Sequence, residues 1–400
     1  MKTIYREKYM DKIIRVMGTR DIKVLTGIRR SGKSKLLEAF RDYIESNIED
    51  NNIIYINYAL AKYEDLMEYH KLIDYVESKY LPAAKNFLLI DEVQMCDGFE
   101  KAINNFHAEE KYDIYITGSN AFLLSSDLAT LFTGRTFSIE VYPFSFLEYQ
   151  KYYNNAFSNI DDAFDKYFYD GGLSGSYDYD SRTEKYKYLN DIVNTSIIRD
   201  IKTKYKVRSV KTLENITDFL MQTISNQISP NKITNKLVSS GDSITNKTTS
   251  KYIDYLCNAF LFYRINRYDV KGKKILESLN KYYLCDHAFK YAKLGTVNMD
   301  VGYTYENIVA IELLRRGYEL YTGNLYNGEI DFVAKKRDET LYIQVSDDIK
   351  DEKTYEREIK PLLQIKEGYK KIIIARTKQD TYISQGIEIY DIARWLCDDK

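Results

Sequence analysis

Gly27-Ile28-Arg29-Arg30-Ser31-Gly32-Lys33-Ser34 is the stretch from which the rest of the chain can be read. It matches the spacing G-x-x-x-x-G-K-[ST] in full, behind the apolar run 22–26 and ahead of a helix-like run at 33–46. A strand, a glycine-bearing loop and a helix in that order make a phosphate cradle. The glycines let the backbone curl so that its N–H groups converge, and the helix N-terminus adds positive potential. The Lys33 ammonium is expected to reach the β and γ oxygens of a triphosphate. The Ser34 hydroxyl is a hard oxygen ligand suited to magnesium. ATP and Mg2+ are the cofactors this pattern predicts, with residues 27–34 around the nucleotide.

Downstream, Phe87-Leu88-Leu89-Ile90-Asp91-Glu92 is an apolar strand that ends in two carboxylates. Alone, such a pair is an ordinary polar strand end. With the phosphate loop upstream, Asp91 is expected to hold magnesium and Glu92 to polarise the attacking water. Thr117-Gly118-Ser119-Asn120 closes the next strand. Ser119 and Asn120 are expected to position water near the γ-phosphate, against the alternative of a turn that merely ends the strand. Arg135 reads in two ways, as an arginine finger acting on a neighbouring subunit's ATP or as a surface salt-bridge residue.

Further strands are expected at 52–58, 86–90 and 113–117, alternating with helical stretches. That alternation predicts a parallel sheet covered on both faces, with ligands beyond the carboxyl ends of its strands. After a helical stretch at 161–169, Asp170-Gly171-Gly172 reads as a glycine-rich hinge. Two helices at 229–238 and 245–260, joined by Ser239-Ser240-Gly241-Asp242, resemble a helix-turn-helix. Strands at 261–268 and 274–279, turning at Lys271-Gly272-Lys273, would be its wing. From Thr304 the texture is α/β again, with a helix at 305–316 and strands at 318–321, 329–334, 340–345 and 371–375.

Charge adds a partner. The chain has a net charge of −1, yet 201–285 carries 15 Lys and Arg against 6 Asp and Glu, a local +9 that leaves −10 elsewhere. A basic block in a neutral protein points to a polyanion, here DNA, with a solvated lysine-rich face as the plain alternative. Lys247 and Lys251 on the second helix and Lys271, Lys273 and Lys274 at the wing tip are the expected phosphate contacts. The four cysteines form no Cys-x-x-Cys pair, which gives disulfide and zinc readings little support. No run reaches the roughly 20 apolar residues of a bilayer span, and the first ten residues are charged throughout, so a cytoplasmic protein without a membrane partner is expected.

These motifs together carry a resemblance. The phosphate loop, Ile90-Asp91-Glu92-Val93-Gln94, Ile116-Thr117-Gly118-Ser119-Asn120-Ala121 and Thr133-Gly134-Arg135 resemble the AAA-type ATP-binding proteins that carry the DUF4143 C-terminal region. Tyr142-Pro143-Phe144-Ser145-Phe146, Asp170-Gly171-Gly172, Lys281-Tyr282-Tyr283-Leu284-Cys285-Asp286 and Gly328-Glu329-Ile330-Asp331-Phe332-Val333 are similar to that family as well. The resemblance implies an α/β protein with an AAA+ parallel-sheet ATPase core at 1–150 and a helical connector at 151–200. A winged-helix domain at 201–285 and a restriction-endonuclease-like domain at 286–400 would follow. It also implies self-association, by analogy as a hexamer, with Arg135 supplied in trans. In the last domain Glu306, Asp331 and Gln344 fall where a PD-(D/E)XK nuclease keeps its metal-binding groups. Gln344 is neutral and Ser346 stands where that pattern has lysine, so the site is expected to be degenerate. An ATP-driven motor or remodeller on DNA is the leading expectation. A nucleotide-gated signalling or defence switch on a protein partner and an ATP-regulated nuclease remain beside it.

Overall fold

The computed structural model describes residues 4–118, 132, 134–154, 156–296, 300–326 and 328–398. They form two compact units, 1–143 and 144–400.

The first unit opens with α1 (Glu7–Arg15) and then alternates β1 (Ile22–Thr26), α2 (Lys33–Asn47), β2 (Asn51–Asn57), α3 (Tyr69–Ser78), β3 (Lys85–Asp91), α4 (Phe99–Glu109), β4 (Tyr112–Thr117) and β5 (Thr136–Glu140). All five strands run parallel in the order β2-β3-β4-β1-β5. Parallel strands must be covered on both faces, and the residues sort accordingly. Ile22, Val24, Leu88, Ile90, Ile114 and Ile116 pack with Leu72 and Val76 of α3 and Ile103 and Phe106 of α4. The alternate residues Leu25, Phe87, Leu89, Tyr115 and Ile139 pack with Leu36, Leu37 and Phe40 of α2 and Met10 and Ile13 of α1. Period-two alternation inside continuous apolar runs therefore feeds two cores, one on each side of the sheet.

The parallel sheet expected from the sequence is present. Strand β5 was not anticipated. Thr136-Phe137-Ser138-Ile139-Glu140 is short and partly exposed, and it is a strand because β1 offers it an open edge over five paired positions.

The second unit is helical up to Asn258 and then forms a mixed eight-stranded sheet, β12-β13-β11-β10-β9-β8-β6-β7. Its strands are β6 (Phe262–Asp269), β7 (Lys274–Leu284), β8 (Glu319–Leu325), β9 (Gly328–Lys336), β10 (Glu339–Ser346), β11 (Lys370–Ala375), β12 (Tyr382–Ser384) and β13 (Ile387–Asp391). The helix pair forms at Pro230–Ser239 and Asn246–Asn258, capped by the Ser229 and Thr245 hydroxyls. The hairpin expected as a wing forms too, with one correction. Strand β6 also pairs in parallel with β8, so the hairpin is the edge of the eight-stranded sheet and not a free-standing wing. An unpaired β6 edge would leave its backbone groups unsatisfied, and β8 satisfies them.

The glycine-rich segment after Asp170 is likewise no open hinge. Gly172 N–H donates to Asp286 Oδ2 at 2.8 Å, and a Cβ on Gly171 would lie 2.2 Å from Asp286 Oδ1. Asp170 is buried against Lys185 Nζ at 2.8 Å and Tyr149 hydroxyl at 2.9 Å. Two motifs 114 residues apart thus share one carboxylate.

Candidate nucleotide site

The polar motifs of the first unit gather at the carboxyl ends of β1, β3 and β4. Gly27 leaves β1 at φ +123°, and a Cβ there would lie 2.2 Å from the Val141 carbonyl, so only glycine fits so close an approach. Gly32 is the N-cap of α2 at φ +98° and gives that helix no side-chain cap. The first N–H groups of α2 are therefore left to a ligand, in the geometry that favours anions.

Lys33 is 6% exposed, and its ammonium donates to the Gly27 carbonyl at 2.9 Å and the Ile28 carbonyl at 3.0 Å. Burial lowers its pKa to about 8, against the opposing pull of Glu92 and Asp91. Ser34 Oγ donates to Asp91 Oδ1 at 3.1 Å, and Thr117 Oγ1 donates to the same oxygen. Asp91 is raised by burial, while the hydrogen bonds from Thr117 and Ser34 pull it back. Glu92 sits in the left-handed region at φ 57°, a costly conformation for a non-glycine residue. Its N–H donates to Thr117 Oγ1 at 3.3 Å, and Gln94 Nε2 donates to its carboxylate. The Ser31 hydroxyl is buried without a hydrogen-bond partner, an unmet polar group inside the loop.

The donor set suits magnesium. Adjacent ligands of an octahedron at 2.0–2.1 Å lie roughly 2.9 Å apart, close to the Ser34 Oγ–Asp91 Oδ1 separation of 3.1 Å. Both are hard oxygens.

Of the other expected groups, Ser119 and Asn120 lie outside the described residues. Arg135 is exposed and immediately precedes β5, and its carbonyl accepts from Ile22 N–H at 2.9 Å. Ile22 opens β1, so Arg135 stands at the end of the sheet opposite the phosphate loop, five strand residues away. It cannot act on its own subunit's nucleotide. Lys247, Lys251, Lys271, Lys273 and Lys274 are all exposed, and Lys273 pairs with Glu367 at 3.3 Å.

In the second unit Glu306 and Asp331 meet at Lys281, and Gln344 lies beside Asp331, from whose N–H it accepts at 3.4 Å. Lys281 on β7 is 4% exposed, with Nζ 2.9 Å from Glu306, 2.6 Å from Glu329 and 3.4 Å from Asp331. The three carboxylates raise its pKa despite burial. Gln344 Nε2 donates to Glu358 at 2.8 Å, and Asp331 Oδ2 accepts from Val345 N–H at 2.9 Å. Thr117 and Lys281 each stand in a motif quoted above, but sequence reasoning gave neither a role. The first is the strand end itself, whereas the partners of the second lie 25 to 50 positions away.

Residues 19–150 match the AAA domain family, and 161–300 match a domain of unknown function, DUF8612. An uncharacterized protein of Haemophilus influenzae is 38% identical over 399 residues, covering 98% of each chain. The chain belongs to the family of that protein. An uncharacterized protein of Methanocaldococcus jannaschii is 29% identical over 358 residues, covering 85% of this chain and 77% of its own. Among solved structures, the Walker-type ATPase PABY2304 of Pyrococcus abyssi has the same fold. Its TM-score is 0.50 at 15% identity, over 72% of this chain and 95% of that one. The first unit is thus an AAA-type P-loop fold, and no helix among the described residues is long and apolar enough to cross a membrane.

Proposed function

We propose that this family member is a magnesium-dependent ATPase whose AAA unit drives work on DNA. One observation carries the ATPase reading: Lys33, Ser34, Asp91 and Glu92 stand together at the uncapped N-terminus of α2. The loop N–H groups and Lys33 bind the triphosphate, and Ser34 and Asp91 hold the cation. Magnesium, when bound, neutralises charge on the β and γ oxygens. Glu92, held by its left-handed backbone and by Gln94, orients and deprotonates the attacking water. Ser119 and Asn120 complete the water's placement. Arg135 serves a neighbouring subunit, and its position at the far end of the sheet supports a role in trans and hence a ring, by analogy a hexamer.

For the second unit the reading is a helix-turn-helix segment holding duplex phosphates through Lys247, Lys251, Lys271, Lys273 and Lys274, followed by a degenerate DUF4143-type, nuclease-like region. The exposed lysines and the +9 charge of 201–285 support the first part. The Lys281 ammonium among Glu306, Glu329 and Asp331 speaks against hydrolysis by the second part, because it takes the place of a cation. Such a protein would work in the cytoplasm.

The test is ATP turnover with and without duplex, single-stranded and branched DNA, alongside mass by light scattering. Glu92→Gln is expected to keep Mg·ATP affinity and lose turnover by about 10²-fold or more. Equal turnover in the two proteins sinks the Glu92 assignment. No binding to DNA at low salt by wild-type protein sinks the DNA reading and leaves a nucleotide-gated switch on a protein partner.

A further inference from the structure

Arg6 belongs to no motif and precedes the phosphate loop by some twenty residues. It is the N-cap of α1, and its side chain is buried, at 5% exposure. Nη1 donates to the Ser31 carbonyl at 2.9 Å and Nη2 to the Tyr142 carbonyl at 2.9 Å. The guanidinium lies over the Tyr9 ring, 4.3 Å from its centroid, and the Tyr9 hydroxyl accepts from Tyr142 N–H at 3.1 Å.

These contacts reach both ends of the loop. At its start, Gly27 abuts the Val141 carbonyl, and Val141 is bonded to the Tyr142 that Arg6 grips. Near its end, Arg6 holds the Ser31 carbonyl directly. A trans peptide is planar, with its C=O and the following N–H pointing in opposite directions. Holding Ser31 C=O therefore sets the direction of the Gly32 N–H. Gly32 is free to rotate, since it has no side chain, and it takes a left-handed conformation. A phosphate cradle works only if its N–H groups are already aimed when the anion arrives, because a swinging peptide lowers affinity by the cost of ordering it.

We infer that Arg6 is a positioning residue for the phosphate loop: its planar fork ties the Ser31 peptide to the chain at Tyr142 and so pre-aims the Gly32 N–H at the nucleotide. The inference rests on the reading that residues 27–34 hold a triphosphate. Arginine suits the task and lysine does not, because two carbonyls are bound at once by donors in fixed geometry. The role predicts a split between binding and chemistry. Arg6 touches no reacting atom, so its loss weakens Mg·ATP affinity and leaves the Glu92 step alone.

Mg·ATP titrated calorimetrically into full-length wild type, Arg6→Met, Arg6→Lys and Tyr9→Phe, with steady-state turnover and thermal melting of each, tests this. Arg6→Met is expected to raise Kd and KM about tenfold or more while kcat at saturation changes less than about threefold. Arg6→Lys, able to reach one carbonyl at a time, recovers only part of the affinity. Tyr9→Phe removes the Tyr142 N–H acceptor and leaves the Ser31 contact, so it shifts Kd less than Arg6→Met does. Unchanged Kd in both Arg6 variants overturns the inference and leaves the ATPase reading intact. Equal Kd shifts in Arg6→Met and Tyr9→Phe that track equal losses of melting temperature also overturn it, because packing alone then explains them. Wild-type protein that binds no Mg·ATP removes both readings together.

Discussion

Lys33 in the first unit and Lys281 in the second are both buried, and the two have opposite surroundings. Lys33 rests on the neutral carbonyls of Gly27 and Ile28, and burial drags its pKa down to about 8. Lys281 touches three carboxylates and is raised instead. An ammonium whose contacts are carbonyls has hydrogen bonds but no carboxylate touching it, and it remains available to an arriving anion. An ammonium among carboxylates is already compensated. The difference separates a binding site from a structural one: the first spends stability to keep a charge waiting, whereas the second uses a charge to hold elements together.

The largest effect is expected from Lys281→Met. Removing that ammonium leaves Glu306, Glu329 and Asp331 facing one another, which costs about 3–5 kcal/mol in urea unfolding. Mg·ATP binding should survive in the folded fraction. A loss below about 1 kcal/mol would show the acid cluster to be solvated after all and would erase the contrast. The mirror variant is Lys33→Met. It should lower ATP turnover by about 10²–10³-fold, with melting temperature unchanged or raised, because an expensive buried charge has gone. A large drop in melting temperature there would mean that Lys33, too, is structural.

A pH series sharpens the comparison further. Burial lifts Glu306 to about 8, and Lys281 only partly opposes this. Three carboxylates around one ammonium leave excess negative charge, so a proton on Glu306 relieves the cluster. The folded state then holds a proton that the unfolded chain, near 4.5, does not. The stabilisation is full below that value and is lost as pH rises through about 8, with a slope of at most ~1.4 kcal/mol per pH unit. Melting temperature measured from pH 6 to 9 should fall more steeply in wild type than in Glu306→Gln. Equal slopes would reject the shared proton.

The smallest effect is at Lys33, where the sign reverses. Above about pH 8 the free protein has lost the ammonium proton, and the triphosphate restores it. Calorimetry in buffers of different ionisation enthalpy should detect proton uptake on Mg·ATP binding, approaching ~1 proton near pH 9 and vanishing near pH 7. Uptake that does not change with pH would place the titrating group elsewhere.

The phosphate loop, Asp91 and Glu92 were legible in the sequence because each is a local device. A glycine, a lysine or a strand-end acid does its work within a few residues of its neighbours. The helices after Ser229 and Thr245 were legible for the same reason, since a hydroxyl caps the helix it precedes. Strand β5 was not, because its five residues take strand form from the edge of β1 and from no pattern of their own. The hairpin was visible at Lys271-Gly272-Lys273, but its membership in the eight-stranded sheet depends on β8, more than fifty residues on.

By itself, then, the sequence marked the residues proposed to meet a triphosphate and determined that a parallel sheet presents them, since backbone reach and apolar periodicity are short-range properties. Only the tertiary structure decided that Arg6 braces the loop, that Thr117 holds Asp91, that Arg135 stands at the end of the sheet opposite the phosphate loop and that Lys281 fills the acid cluster. Those outcomes depend on which distant side chains share a desolvated space. There, charge pairing and hydrogen bonding are strong enough to decide geometry, and nothing in the local order of residues encodes them.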